Sequence, residues 1–224
     1  MIALLSHPLT ITVWAGIAAV SVAVLLWDLC RNNPESAGLM RWAWTLTVAY
    51  SGPFGLAIYF YSGRKQIPRD DLWRRACRST AHCYSGGCGG GEIAGVFIAA
   101  RLLGLGNWWI AGISVALAYV AGFALTVGPL IQEGVSTGRA LTDAFYSETA
   151  SITVMEVSAI GMDLAIAGKA GMGEPLFWSS LVFSLTVGFV AAYPVNDLLI
   201  RWGVEEGMHD PPPMAAGQQG RAAT

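Results

Sequence analysis

Charge is what this chain has least of. Only 12% of its 224 residues are Asp, Glu, Lys or Arg, about half the ~25% usual in a soluble domain. With 54% hydrophobic residues and a mean hydropathy of +0.51, an ordinary water-soluble domain is excluded, and an integral membrane protein with the lipid bilayer as its partner is indicated. The 13 Lys and Arg, against 15 Asp and Glu, form no basic face interleaved with stacking aromatics, which excludes nucleic acid as a partner. Cysteine is also scarce. Four residues are too few for a disulfide scaffold, and Cys77, Cys83 and Cys88 crowd beside a histidine, which favours ligand or redox use over a structural bridge; Cys30 stands alone at a span end. Met1 to Pro8 has no basic n-region and no small-residue cleavage site precedes Trp27 and Asp28, so the first apolar segment is expected to remain. No internal repeat is found.

What is present is a set of long apolar runs. Six are long enough to cross about 30 Å of hydrocarbon, which takes ~20 helical residues: Leu9 to Leu29, Leu39 to Tyr61, Cys83 to Leu105, Trp108 to Ile131, Phe145 to Ala167 and Leu176 to Ile200. Helix is required, because backbone facing lipid must satisfy itself. The expected fold is therefore an all-α membrane bundle of about six transmembrane helices over residues 1–208, with a disordered tail from 209 to 224. Pro53 and Pro194 fall inside spans and are expected to kink them. Arg64, Lys65, Arg69, Arg74, Arg75 and Arg78 cluster between the second and third spans, so that connection is expected in the cytoplasm, and both termini with it. Ile67 to Arg78 reads as an amphipathic helix on the inner leaflet. Asp28, Asp197 and Arg201 are expected at interfaces, solvated or snorkelling.

The chemistry concentrates in two spans. Thr80 to Glu92 places His82, Cys83 and Cys88 at the mouth of an apolar segment, with Glu92 further in. A carboxylate at the centre of a membrane helix costs roughly 2.5–3.5 kcal/mol on insertion scales and calls for a partner or a task. Gly87, Gly91 and Gly95, four apart, form the small-residue stripe that lets a neighbouring helix come close. The glycines from Gly86 to Gly91 also weaken the helix and suggest an irregular, re-entrant entrance. In the fifth span Glu148, Met155 and Met162 share one helical stripe and Glu156 and Asp163 the next, a face unsuited to lipid. Taking both spans as running outward from the cytoplasm, Cys88 and Glu148 are expected at similar shallow depth, with Glu92, Met155 and Glu156 near the midplane.

Soft thiolate and thioether ligands select Cu(I), so His82, Cys83, Cys88, Glu92, Glu148, Met155 and Glu156 form a candidate metal site, copper first and zinc as the alternative. Proton exchange along Glu92, Glu148 and Glu156 is the metal-free reading. A thiol redox pair is a third, against which stand the spacing of Cys83 and Cys88, which is not C-x-x-C, and a reducing cytoplasm.

His82-Cys83, Gly87-Cys88 and Gly91-Glu92, then Glu148-Thr149-Ala150-Ser151-Ile152-Thr153, then Ala192-Tyr193-Pro194-Val195-Asn196 resemble a bacterial and archaeal family of multi-pass membrane proteins known only as a domain of unknown function. The resemblance covers roughly Thr80 to Met208. It implies a small helical bundle, a link to copper through association with copper-oxidase-like proteins, and His82, Cys83, Cys88, Glu92 and Glu148 as its stronger site residues. The expected function is binding, and transport or delivery, of a soft metal ion in a bacterial cytoplasmic membrane, by a homo-oligomer. Two other classes stay open: a non-catalytic subunit or assembly factor of a larger membrane complex, and a membrane oxidoreductase.

Overall fold

The computed structural model describes residues 2–34, 38–64, 70–132 and 134–205. Lys65, Ile67, Arg69, His209, Arg221 and the expected tail lie outside them. Among the described residues the regular structure is entirely helical, as a backbone in lipid requires. In chain order the α-helices are α1 (Ile2–Leu5), α2 (Pro8–Arg31), α3 (Gly38–Ser51), α4 (Pro53–Ile58), α5 (Leu72–His82), α6 (Gly90–Val96), α7 (Asn107–Gln132), α8 (Thr137–Ala167) and α9 (Pro175–Arg201). π-Helical stretches occupy Tyr59–Gly63, Cys83–Gly89 and Phe97–Leu102. By length and composition, α2, α7, α8 and α9 are the four described helices able to cross a membrane. α9 continues unbroken through Pro194.

The segment expected as a second span, Leu39 to Tyr61, turns back on itself. Gly52, at φ +55°, adopts a backbone conformation that costs an L side chain dearly, and Pro53 then opens α4 in the first turn, where its missing N–H is not needed. The reversal packs on α2 at mid-length: the Trp14 ring lies 3.2 Å from where a Gly52 Cβ would stand. The return arm, α4 and Tyr59–Gly63, runs back along α3, with the Tyr59 and Trp44 rings 5.5 Å apart. Gly63 is there because Trp44 fills the space of its side chain; a Cβ would come within 2.5 Å of the indole.

Arg64 then reaches Asp28 at the end of α2, with Nε and Nη2 donating at 3.1 and 2.6 Å. Asp28 is thus no solvated interfacial residue. It is 1% exposed and also accepts from the Tyr59 hydroxyl at 2.8 Å and Asn32 Nδ2 at 2.7 Å. Sequence reading placed Asp28 and Arg64 at opposite ends of the molecule; the hairpin brings them to the same one.

The third expected span is part of a longer rod, α5 through α6 to Leu102. The expected leaflet helix is not a separate element. α5 begins at Leu72, and Arg78 through His82 are buried in the bundle, where Arg78 donates to the Ser62 carbonyl at 2.8 Å and pairs with Asp70. Nor is Cys83–Gly89 unwound as the glycines suggested: it stays helical with a wider turn. The glycine stripe does face a neighbour. Cβ atoms on Gly87, Gly91 and Gly95 would meet Ala118 and Ser114 of α7, in the last two cases at under 3 Å from its backbone.

Two ends of the bundle are distinguishable. Leu5 packs with Val96, Ile166 and Phe177 at one end. At the other, the Asp28–Arg64 cluster sits with the start of α5, and Ser79 Oγ donates to Glu205 Oε1 at 2.5 Å just beyond α9. The first and last described residues therefore lie at opposite ends.

Candidate functional site

The π stretch Cys83–Gly89 does for the thiols what an α-helix would not. Residues five apart on an α-helix point about 140° from one another. Where i→i+5 hydrogen bonds close each turn, such residues stack one turn above the other, so Cys83 and Cys88 share a face. That face meets α8. Cys83 Sγ donates to Glu148 Oε2 at 3.0 Å, while Thr126 of α7 donates to Glu148 Oε1 at 2.7 Å. One turn on, Cys88 and Glu156 are buried on the same two helices, and neither Glu156 carboxylate oxygen has a hydrogen-bond partner. Met155 is fully buried in the same apolar cluster as both thiols, and Gly188 of α9 gives it room, a Cβ there falling 3.3 Å from Met155 Cγ.

All seven candidate residues are buried, but they form a file and not one cage. Among the described residues, no three His, Cys, Asp or Glu side chains converge in a way that could hold a metal ion. Cys83 is hydrogen-bonded to Glu148, and Cys88 and Glu156 follow further along the same two helices without a hydrogen bond between them. His82 stands beside them, close enough to Glu148 for their charges to interact, with neither ring nitrogen hydrogen-bonded. Glu92 lies further along, in the field of Glu156 and Asp163. The depth register differs from expectation: Cys83, not Cys88, is level with Glu148. The reason is that α8 starts at Thr137, well before the expected Phe145, and the rod starts at Leu72.

Three residues without a sequence-based role complete the arrangement. Asn196 Nδ2 donates to Thr80 Oγ1 at 2.8 Å and Ser151 Oγ at 2.9 Å, joining α9, α5 and α8 directly behind the Cys83–Glu148 pair. Thr126 orients Glu148; its only signal was a hydroxyl in a mostly apolar run. Glu205 lies at the mouth. Burial pushes its carboxyl up to about 7, opposed by the hydrogen bond from Ser79 and reinforced by the charge of Glu148.

A helical membrane-type bundle with an ionisable file between a π-wound rod and a long neighbouring helix is the class that these observations define. The chain belongs to the family described as a domain of unknown function, DUF4396, whose model matches residues 72–205. Every candidate site residue lies within the match. The α2 helix and the α3–α4 hairpin precede it. No curated protein matches the chain, and neither does any solved structure.

Proposed function

We propose that this chain binds a soft metal ion of the Cu(I) class inside the bundle and passes it across a bacterial cytoplasmic membrane, with Zn(II) as the alternative cargo. The observation that carries the reading is the hydrogen bond from the buried Cys83 thiol to Glu148, with a second buried thiol, Cys88, and a second buried carboxylate, Glu156, further along the same helices. A thiol must lose its proton to become a metal ligand, and in a dry interior that proton needs a receiver within reach. Glu148 accepts from Cys83, so that pair converts internally from thiol and carboxylate to thiolate and carboxylic acid with no net charge created, and Glu156 is the unpartnered carboxylate next in line for the Cys88 proton. Cys83, Cys88 and Met155 are the soft donors that suit such a cargo. Asn196 and Thr126 hold the two walls in register. Metal content of the purified protein, measured after loading and washing, is expected to fall to background in Cys83→Ser/Cys88→Ser and several-fold in Glu148→Gln. Wild type that retains no more metal than the double variant would sink the reading.

The same proposal carries a topology. The rod Leu72 to Leu102 crosses the membrane together with α2, α7, α8 and α9, and the α3–α4 hairpin enters and leaves on one side. Five crossings put the termini on opposite sides. The basic residues Arg64, Arg74, Arg75 and Arg78 assign the cytoplasm to the end that holds the C-terminus. Reporter fusions are expected to show an external N-terminus and a cytoplasmic C-terminus; both termini on one side would refute this arrangement.

A further inference from the structure

Beyond the thiols, on the side away from Glu205, α6, α7, α8 and α9 enclose a cavity of about 30 Å³. Its polar lining consists of Glu92, Ser114 and Asp163; the rest is aliphatic or aromatic, including Val96, Ile110 and Phe177. Glu92 is 4% exposed and its Oε2 has no hydrogen-bond partner. Asp163 Oδ1 is likewise buried without one. Glu92 lies in the field of Glu156 and, more weakly, of Asp163, which lines the same cavity. No Lys, Arg or His lines the cavity. Ser114 Oγ donates to the Glu92 carbonyl at 3.4 Å, which leaves its oxygen lone pairs available to a cation.

Two carboxyl groups without a cationic partner, facing a shared space in low dielectric, are neutralised by protons or by a cation from outside the chain, and one monovalent ion beside one retained proton leaves the space neutral. We propose that this cavity is a binding site for a small hard monovalent cation, sodium, held by Glu92, Asp163 and Ser114. Oxygen-only donors select a hard ion over the soft cargo of the thiols. The space is enough for about one or two waters or one small ion. Mg²⁺ would arrive with several waters, and Ca²⁺ takes 6–8 oxygens, more than these three side chains supply. Potassium, the larger alkali ion, approaches the carboxylate oxygens less closely and gains less Coulomb energy from them, so these donors favour sodium. The site stands whether or not the thiols bind metal, and sodium there is the candidate coupling ion for movement of any cargo.

The test uses chelator-treated full-length protein at fixed pH and fixed ionic strength, with choline as the replacing cation. Radiolabelled sodium is expected to bind saturably, to be displaced by unlabelled sodium more readily than by potassium, and to raise the thermal midpoint. Glu92→Gln and Asp163→Asn are each expected to weaken binding roughly 10- to 100-fold, the scale set by losing a ligand-shell group, while Cys83→Ser/Cys88→Ser leaves it unchanged. Absence of saturable sodium binding to wild type overturns the proposal without recourse to any variant. So does binding that persists in both carboxylate variants, or a wild-type response to pH alone with none to sodium.

Discussion

Arg64→Ala is expected to lower the unfolding midpoint of the purified protein more than Arg201→Ala does, at a cost of about 2–3 kcal/mol, below the figure for a fully buried pair because the Arg64 side chain is 31% exposed while that of Asp28 is 2% exposed. The reason lies in what remains behind. Asp28 keeps its buried position at the end of α2, and the Tyr59 hydroxyl and Asn32 still donate to it, but both are neutral. Its charge loses the two guanidinium hydrogen bonds at 3.1 and 2.6 Å. A buried ion pair contributes little net stability compared with apolar packing of the same volume, yet breaking one side of it is severe. Asp28→Asn/Arg64→Met, which removes both charges together, is therefore expected to be closer to wild type than Arg64→Ala alone. The matching control is Arg201→Ala. That guanidinium meets Asp197 at 2.7 Å but is 60% exposed, and its loss is expected to cost no more than about 1 kcal/mol. If Arg64→Ala proves as mild as Arg201→Ala, then the hairpin is not fastened to α2 in this way.

This pair also marks the boundary of what the sequence discloses. Apolarity is a sum over residues, and it correctly identified the helical, membrane-type character of the chain. It carries no sign of direction. Leu39 to Tyr61 has the composition of a crossing, and only the Gly52 backbone, with Trp14 packed beneath it, reveals that the chain reverses there. The face of α8 was legible because residues seven apart on one helix share a side whatever the helix packs against. Its register against the rod was not, because depth depends on where each helix begins, and neither Thr137 nor Leu72 follows from the apolar run. The π stretch left half a trace. A run of glycines says that a helix is weakened, but an unwound entrance and a widened turn have the same composition. They differ in consequence: only the widened turn brings Cys83 and Cys88 to one face. The cavity at Asp163 needed four helices to be assembled before it existed.

Gly91→Ala is expected to be among the most damaging single-methyl additions at the described glycines. Spacing alone pointed to a docking stripe, and the geometry ranks its members. At Gly91 the added Cβ would stand 2.4 Å from Ala118 N and 2.5 Å from Ala118 Cα, inside the contact limit of atoms that belong to the α7 backbone. A side chain can rotate out of such a clash, whereas a helix backbone must move as a body. α7 would have to back away from the rod, and it carries Ser114, at the proposed sodium cavity, and Thr126, which holds Glu148. Overpacking of this kind costs typically 1–3 kcal/mol and sometimes more. The expected result is a lowered thermal midpoint together with several-fold losses in both sodium and metal binding, even though Gly91 contacts neither ligand. Gly112→Ala is the internal control: it lies on α7 itself, a Cβ there meets nothing within 4 Å, and exchange of glycine for alanine inside a helix is favourable by roughly 0.5–1 kcal/mol. Gly87→Ala should fall between them, since its nearest contact, the Ala118 carbonyl, is at 3.4 Å. An order of damage other than Gly91, Gly87, Gly112 would mean that α7 does not pack on this stripe, and the alignment of Glu148 with Cys83 would lose its structural basis along with it.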